Sequence, residues 1–287
     1  MRIAHIIIAH TNPNQLSRLI NRLQHPEADF YLHIDLKVDI AAFKSLLDIP
    51  NVTFIKNRIN CNWGGNSLFI GIISALKEVL SLNQNHDYIN LLSGQDYPLV
   101  PPGEFHDYLK KNAGTSFISY ETAADSAWLK EALHRYEKYH LTDLNFKWKY
   151  TLQKIMNAVL PLRKFPIKGQ FYGGNKATWW TVTTAAARYV VEQLQQSERL
   201  TRSLKYSWGT DEFVFSSLLM NSPFKDQVLN NNLRYIDWSE GKVNPKLLRI
   251  ADFESLKQSE MMFARKFDML KDGEILDKID SDCLGWS

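Results

Sequence analysis

From Ile3 to Ala9 the chain is apolar at every position except His5. A short apolar run of this kind predicts a strand buried on both faces. Asn12-Pro13 then opens a helix carrying Leu16, Leu19, Ile20 and Leu23 at helical spacing. Phe30 to Ile34 reads as a second strand ending in Asp35, Ile40 to Leu47 as a short helix, and Val52 to Ile55 as a third strand. A polar loop, Asn60 to Asn66, contains Trp63-Gly64-Gly65. Ser67 is the expected cap of a long helix that turns Leu68, Ile72, Ile73, Leu76, Val79 and Leu80 inward. Tyr88 to Leu92 is the fourth strand, stopped by Ser93-Gly94. Past that stop, Gln95 and Asp96 fall on the rim where an open α/β sheet binds its ligands.

The second half is less regular. Helices are expected at Glu104 to Lys111, Ser126 to Tyr139, Trp148 to Leu160, Thr184 to Leu194, Thr210 to Met220 and Asp252 to Ser259. Strands are expected at Ser116 to Ser119, within Thr178 to Val182, and at Leu233 to Trp238. Strands alternating with helices imply an α/β fold, a Rossmann-related, mostly parallel sheet flanked by helices. No linker or repeat divides the 287 residues, so one domain is expected.

Composition narrows the classes. At 45% hydrophobic residues the chain can fill a sizeable core, and a net charge of +3 is too small to argue for nucleic acid. Cys61 and Cys283 form no disulfide framework. The opening apolar run is too short for a signal sequence or a membrane span, so cytoplasmic residence is the expectation. One segment adds the inner face of the membrane. From Lys147-Trp148-Lys149-Tyr150 to Lys168, aromatic and apolar residues alternate with six basic ones, as in segments that lie on an anionic bilayer. A packed helix with solvated lysines would read the same way.

Candidate chemistry gathers at two places. Ser207-Trp208-Gly209-Thr210-Asp211-Glu212 places two carboxylates in the expected first helical turn. Acidic residues there complement the helix dipole, and a rigidly held carboxylate also serves as a general base. Neighbours on an α-helix point about 100° apart, so one of the pair is the base and the other a cap or orienting group. The pair Arg265-Lys266, with Lys246 upstream, reads either as a solvated face or as an anion clamp. No glycine-rich phosphate loop or metal-spaced His/Cys cluster is evident. Paired aspartates occur only as Asp35-Leu36-Lys37-Val38-Asp39 and Asp280-Ser281-Asp282, the latter read as a polar tail, and no metal ligand is assigned.

Six pieces in order resemble one family. They are His33-Ile34-Asp35-Leu36-Lys37, the Trp63 loop, Leu92-Ser93-Gly94-Gln95-Asp96-Tyr97-Pro98-Leu99, Asp211-Glu212-Phe213, Arg234-Tyr235-Ile236-Asp237-Trp238, and Phe263-Ala264-Arg265-Lys266-Phe267-Asp268. The chain resembles the inverting core-2/I-branching β1,6-N-acetylglucosaminyltransferases, a family that includes the peptide O-xylosyltransferases. The resemblance implies a GT-A-like fold, a UDP-sugar donor carrying N-acetylglucosamine or xylose, a glycan or lipid-linked glycan acceptor, no cofactor, and no metal. It implies Glu212 as general base and Lys266 with Arg265 at the donor diphosphate. Lys246 falls near a second basic position there, with Arg249 as its rival. Asp35, Gln95 and Asp96 would hold the nucleotide, and Trp238 and Asp211 the acceptor. Residues 1–120 would then form the nucleotide-binding half and 121–287 the acceptor and catalytic half. An inactive carbohydrate-binding version of the fold and a metal-dependent nucleotidyltransferase remain the alternatives.

Overall fold

The computed structural model describes residues 1–82, 84–121 and 126–286. Its first half follows the apolar runs closely: β1 (Ile3–Ala9), α1 (Pro13–Arg22), β2 (Ala28–Ile34), β3 (Val52–Phe54), α2 (Asn66–Ser81) and β4 (Tyr88–Ser93). A 3-10 helix, Ile40–Asp48, replaces the short α-helix expected between β2 and β3. There follow β5 (Asp96–Pro98), α3 (Pro102–Lys111), β6 (Ser116–Ile118), α4 (Ala127–Glu137), α5 (Lys149–Val159) and β7 (Thr181–Thr183). The remainder comprises α6 (Thr184–Gln196), α7 (Glu198–Leu204), α8 (Val214–Met220), β8 (Val228–Asn230), β9 (Arg234–Ile236), α9 (Phe253–Lys257), β10 (Phe263–Arg265) and α10 (Glu274–Asp282).

A seven-stranded sheet has the order β3-β2-β1-β4-β7-β6-β8, and a three-stranded sheet the order β5-β10-β9. In the large sheet β3, β2, β1 and β4 run parallel, and β7 is antiparallel to both β4 and β6. Strand β1 shows why an unbroken apolar run suits this position. Ala4, Ile6 and Ile8 enter the core on one face, while Ile3, Ile7 and Ala9 enter the core on the other. The single polar position, His5, is also buried. It stacks on Phe30 and meets Asn90 Nδ2 through Nδ1 at 3.0 Å, and burial pushes its pKa down to about 3.

Two expected starts differ, each for a tertiary reason. Helix α2 begins at Asn66, with Gly65 in the N-cap position and no side-chain cap of its own. The Asp143 carboxylate replaces a local cap by accepting from the Ser67 backbone N–H at 2.9 Å and from its hydroxyl at 2.5 Å. The expected helix Thr210 to Met220 is broken. Thr210–Glu212 is a single 3-10 turn, Phe213 leaves helical geometry at φ −141°, and α8 starts only at Val214. The Glu212 carbonyl accepts from Gly174 N–H at 3.0 Å, outside any helical ladder. Asp280, expected in a polar tail, is buried in α10 and paired with Arg18 at 2.8 Å and Arg22 at 2.7 Å.

Candidate active site

Chain order sends β2 and β3 to one side of β1 and returns β4 to the other. The carboxyl ends of β1 and β4 therefore flank a topological switch point, where such sheets bind ligands. A cleft of about 310 Å³ opens there, lined from this side by His10, Asp35, Lys37, Ser93 and Gln95. From the other side come Trp63, Thr178, Trp179, Asp211, Glu212, Trp238, Arg265 and Lys266.

The small sheet delivers the cations. Strand β10 pairs antiparallel with β5, which sets Arg265 opposite Asp96. Arg265 Nε donates to Asp96 Oδ1 at 2.9 Å, and its guanidinium lies 4.7 Å from the Trp179 ring centroid. Asp96 also accepts from the Ser93 hydroxyl at 2.6 Å and is fully buried, so it faces Arg265 and does not line the cleft. Its role in this geometry is to orient the guanidinium. The turn carrying Lys266 is fixed by Phe267 N–H donating to Gln95 O at 2.9 Å, and by Gln15 Nε2 reaching both Gly94 O and Phe267 O. Lys266 is half-buried and has no salt bridge among the described residues. Burial first, and the Arg265 charge second, push its pKa down. Lys246 is turned elsewhere. It donates to Asp252 at 2.5 Å and lies 3.9 Å from Asp237, outside the cleft lining, whereas Val243, Asn244 and Pro245 just before it line the cleft. Arg249 is also outside the lining; its backbone N–H donates to Asp252.

The carboxylates arrive on the 3-10 turn. Gly209 adopts φ +62°, and a Cβ there would meet Arg135 Nη1 at 2.7 Å, so glycine is what allows the guanidinium this close. Gly209 N–H donates to Gly64 O, and Thr210 Oγ1 donates to Asn66 Oδ1, tying the turn to the Trp63 loop. Asp211 turns inward and accepts from Thr178 Oγ1 at 2.8 Å. Glu212 accepts from Arg135 Nη1 at 2.6 Å. Arg135 is itself held between two rings, 5.1 Å from Trp128 and 4.4 Å from Trp208. Burial pushes the Glu212 carboxyl up to about 7; Arg135 opposes that rise and Asp211 adds to it. Burial likewise raises Asp211, against its bond to Thr178.

The cleft thus brings together Glu212, Asp211, Asp35, Gln95, Trp238, Arg265 and Lys266, and leaves out Asp96 and Lys246. Trp179 reaches the cleft, but Trp180 stacks on Phe215 in the core. Sequence reasoning missed Arg135, Lys37 and His10. Arg135 lies in the charged, aromatic helix α4, but its 77-residue separation from Glu212 carries no local signal. His10 ends β1 in the cleft, where burial lowers its pKa. Among the described residues, a cluster with metal-ligand spacing is formed by His25, Glu27 and His106. It lies by the amino ends of β1 and β2, at the other end of the sheet from the cleft.

The model of the Core-2/I-Branching enzyme family matches residues 3–262. The chain belongs to that family. This Core-2/I-Branching chain is 26% identical over 309 residues to xylosyltransferase 2 of Rattus norvegicus, covering 99% of itself and 34% of that protein. It is 24% identical over 279 residues to xylosyltransferase oxt of Drosophila melanogaster, covering 88% of itself and 30% of that protein. It therefore spans about a third of the length of these relatives, all of them sugar-transferring enzymes by name. Among solved structures, it is similar to mouse xyloside xylosyltransferase 1 in its apo form. That similarity has a TM-score of 0.42 at 9% identity, over 91% of this chain and 97% of the other.

Proposed function

We propose that the chain is an inverting glycosyltransferase that moves xylose or N-acetylglucosamine from a UDP-sugar to a glycan hydroxyl without a divalent metal. The observation that carries this reading is that one cleft is lined both by a carboxylate held by an arginine and by a cation with no salt bridge among the described residues. The carboxylate is Glu212, with a pKa of about 7; the cation is Lys266. Inverting transfer is a single displacement at the anomeric carbon. The acceptor oxygen forms its bond as the bond to the diphosphate breaks. Glu212 takes the acceptor proton, and the UDP oxygen leaves with the electron pair.

Negative charge grows on that leaving oxygen. Lys266 meets it directly, with Arg265 behind, doing the electrostatic work that a metal does elsewhere. Asp35 and Gln95, at the ends of β2 and β4, hold the nucleotide. Trp238 and the exposed Trp63 offer sugar-stacking faces at the cleft. Asp211 braces the turn from inside through Thr178.

The test is UDP release from UDP-xylose and UDP-N-acetylglucosamine with a glycan acceptor, with and without EDTA. Wild-type activity should survive EDTA. Lys266→Ala should lose about 2–4 kcal/mol of transition-state stabilisation and bind UDP more weakly. Loss of wild-type activity in EDTA, restored by manganese or magnesium, contradicts the metal-free reading.

A further inference from the structure

Helix α5 is built inside out. None of its residues is buried. A surface helix of a globular protein normally turns its apolar stripe inward and its polar face to water. Here the inward contacts are polar. Gln153 Oε1 accepts from Leu141 N–H at 2.8 Å, and Asn157 exchanges two bonds with the Tyr139 backbone at 2.7 and 2.9 Å. Trp148, Leu152, Ile155 and Val159 follow one another at intervals of four, three and four, which places them on a single helical face. That face is in water: Trp148 is 67% exposed, Ile155 55% and Val159 73%. Leu162, in the segment beyond the helix, is exposed as well.

Charge selects the partner. Lys147, Lys154, Lys164 and Lys168 are exposed around this stripe, and no salt bridge engages them among the described residues. No acidic residue occurs between Asp143 and Glu192. Pairing with a second copy would set two such basic surfaces against each other, which like-charge repulsion disfavours. An anionic bilayer offers both what the stripe lacks and what the lysines seek. Its acyl boundary takes Trp148, Ile155 and Val159, and its headgroups take ammonium groups on long flexible stems.

We infer that α5 and the segment after it form a docking face for an anionic lipid surface. The face is anchored to the candidate active site. Asp143, five residues before Trp148, accepts from Asn62 of the Trp63 loop and from Ser67 at the start of α2. Arg163, just after α5, donates to the carbonyls of Ser203 and Tyr206, ahead of the turn that carries Glu212.

The experiment is co-sedimentation of the full chain with vesicles of phosphatidylcholine alone, and of phosphatidylcholine mixed with phosphatidylglycerol. One variant carries Trp148→Ala, Ile155→Ser and Val159→Ser. A second carries Lys147→Gln, Lys154→Gln, Lys164→Gln and Lys168→Gln and keeps the stripe. All seven side chains are in water, so both variants should melt with the wild type and release UDP with a soluble acceptor at the wild-type rate. Wild-type protein should bind the anionic vesicles and dissociate in high salt. Each variant should bind roughly tenfold more weakly or worse. No salt-sensitive binding, or equal binding by all three proteins, overturns the inference. So does a wild-type dimer in light scattering that the apolar variant abolishes, since that assigns the face to a second copy. Failure of UDP release by all three, with vesicle binding intact, counts against the proposed activity and leaves the lipid face standing.

Discussion

Asp211 and Glu212 are adjacent carboxylates with different partners, because a 3-10 turn directs neighbouring side chains about 120° apart. Asp211 accepts from Thr178, and Glu212 accepts from Arg135, which lies behind the cleft lining. In the proposed mechanism the active form of Glu212 is the carboxylate, so kcat/KM should rise with pH and level off above an apparent pKa near 7. Arg135 opposes the rise caused by burial, so Arg135→Gln should move this limb to higher pH and lower activity at neutrality. A pH–rate profile of UDP release for both proteins checks it; an unmoved limb would show that Arg135 does not tune the base. The carboxylate pair was legible in the sequence because two acids at an expected helix start are a local pattern. Arg135 was not, since only packing joins it to Glu212. Asp96 was legible as important but not in its direction. Its place just past a strand suggested ligand contact, whereas the pairing of β10 with β5 turns it onto Arg265.

At the scale of elements, the apolar runs of the first half identified strands and helices because each is bounded by polar or turn residues. Of the small sheet that carries Arg265, β9 falls within the strand expected at Leu233 to Trp238, whereas β5 and β10, three residues each, show no pattern that marks them as strands. Helix limits failed where a distant group intervenes. Asp143 caps α2 from 76 residues away, and Gly174 takes the carbonyl that would have extended the helix through Glu212. The turn bearing Glu212 depends on Gly209 for its left-handed backbone and for the room Arg135 occupies. Gly209→Ala should therefore cost about 1–2 kcal/mol in the backbone alone and also push Arg135 off Glu212. Urea unfolding should show the stability loss, and the same variant should lose turnover beyond its unfolded fraction. Wild-type stability with wild-type turnover would mean that the turn relaxes without cost.

Across the whole molecule, the two sheets share a core, and a buried arginine ties them together. Arg234 of β9 donates to Thr181 Oγ1 at 2.8 Å, and to Leu91 O and Trp180 O at 3.1 Å each. Burial lowers its pKa to about 9, which still leaves it charged at neutral pH. This joint sets the cationic wall, Arg265 and Lys266, at the mouth of the parallel sheet. The wall with Glu212 is built separately, from the Trp63 loop and the 3-10 turn, with Arg135 of α4 behind it. On the proposed reading, donor contacts and the base belong to different parts of the structure, so one substitution should separate binding from chemistry. The deciding measurement is UDP release by Glu212→Gln beside its UDP affinity. Turnover should fall by roughly two to four powers of ten while UDP binds as tightly as to the wild type. Wild-type turnover by Glu212→Gln with a competent acceptor would contradict the account.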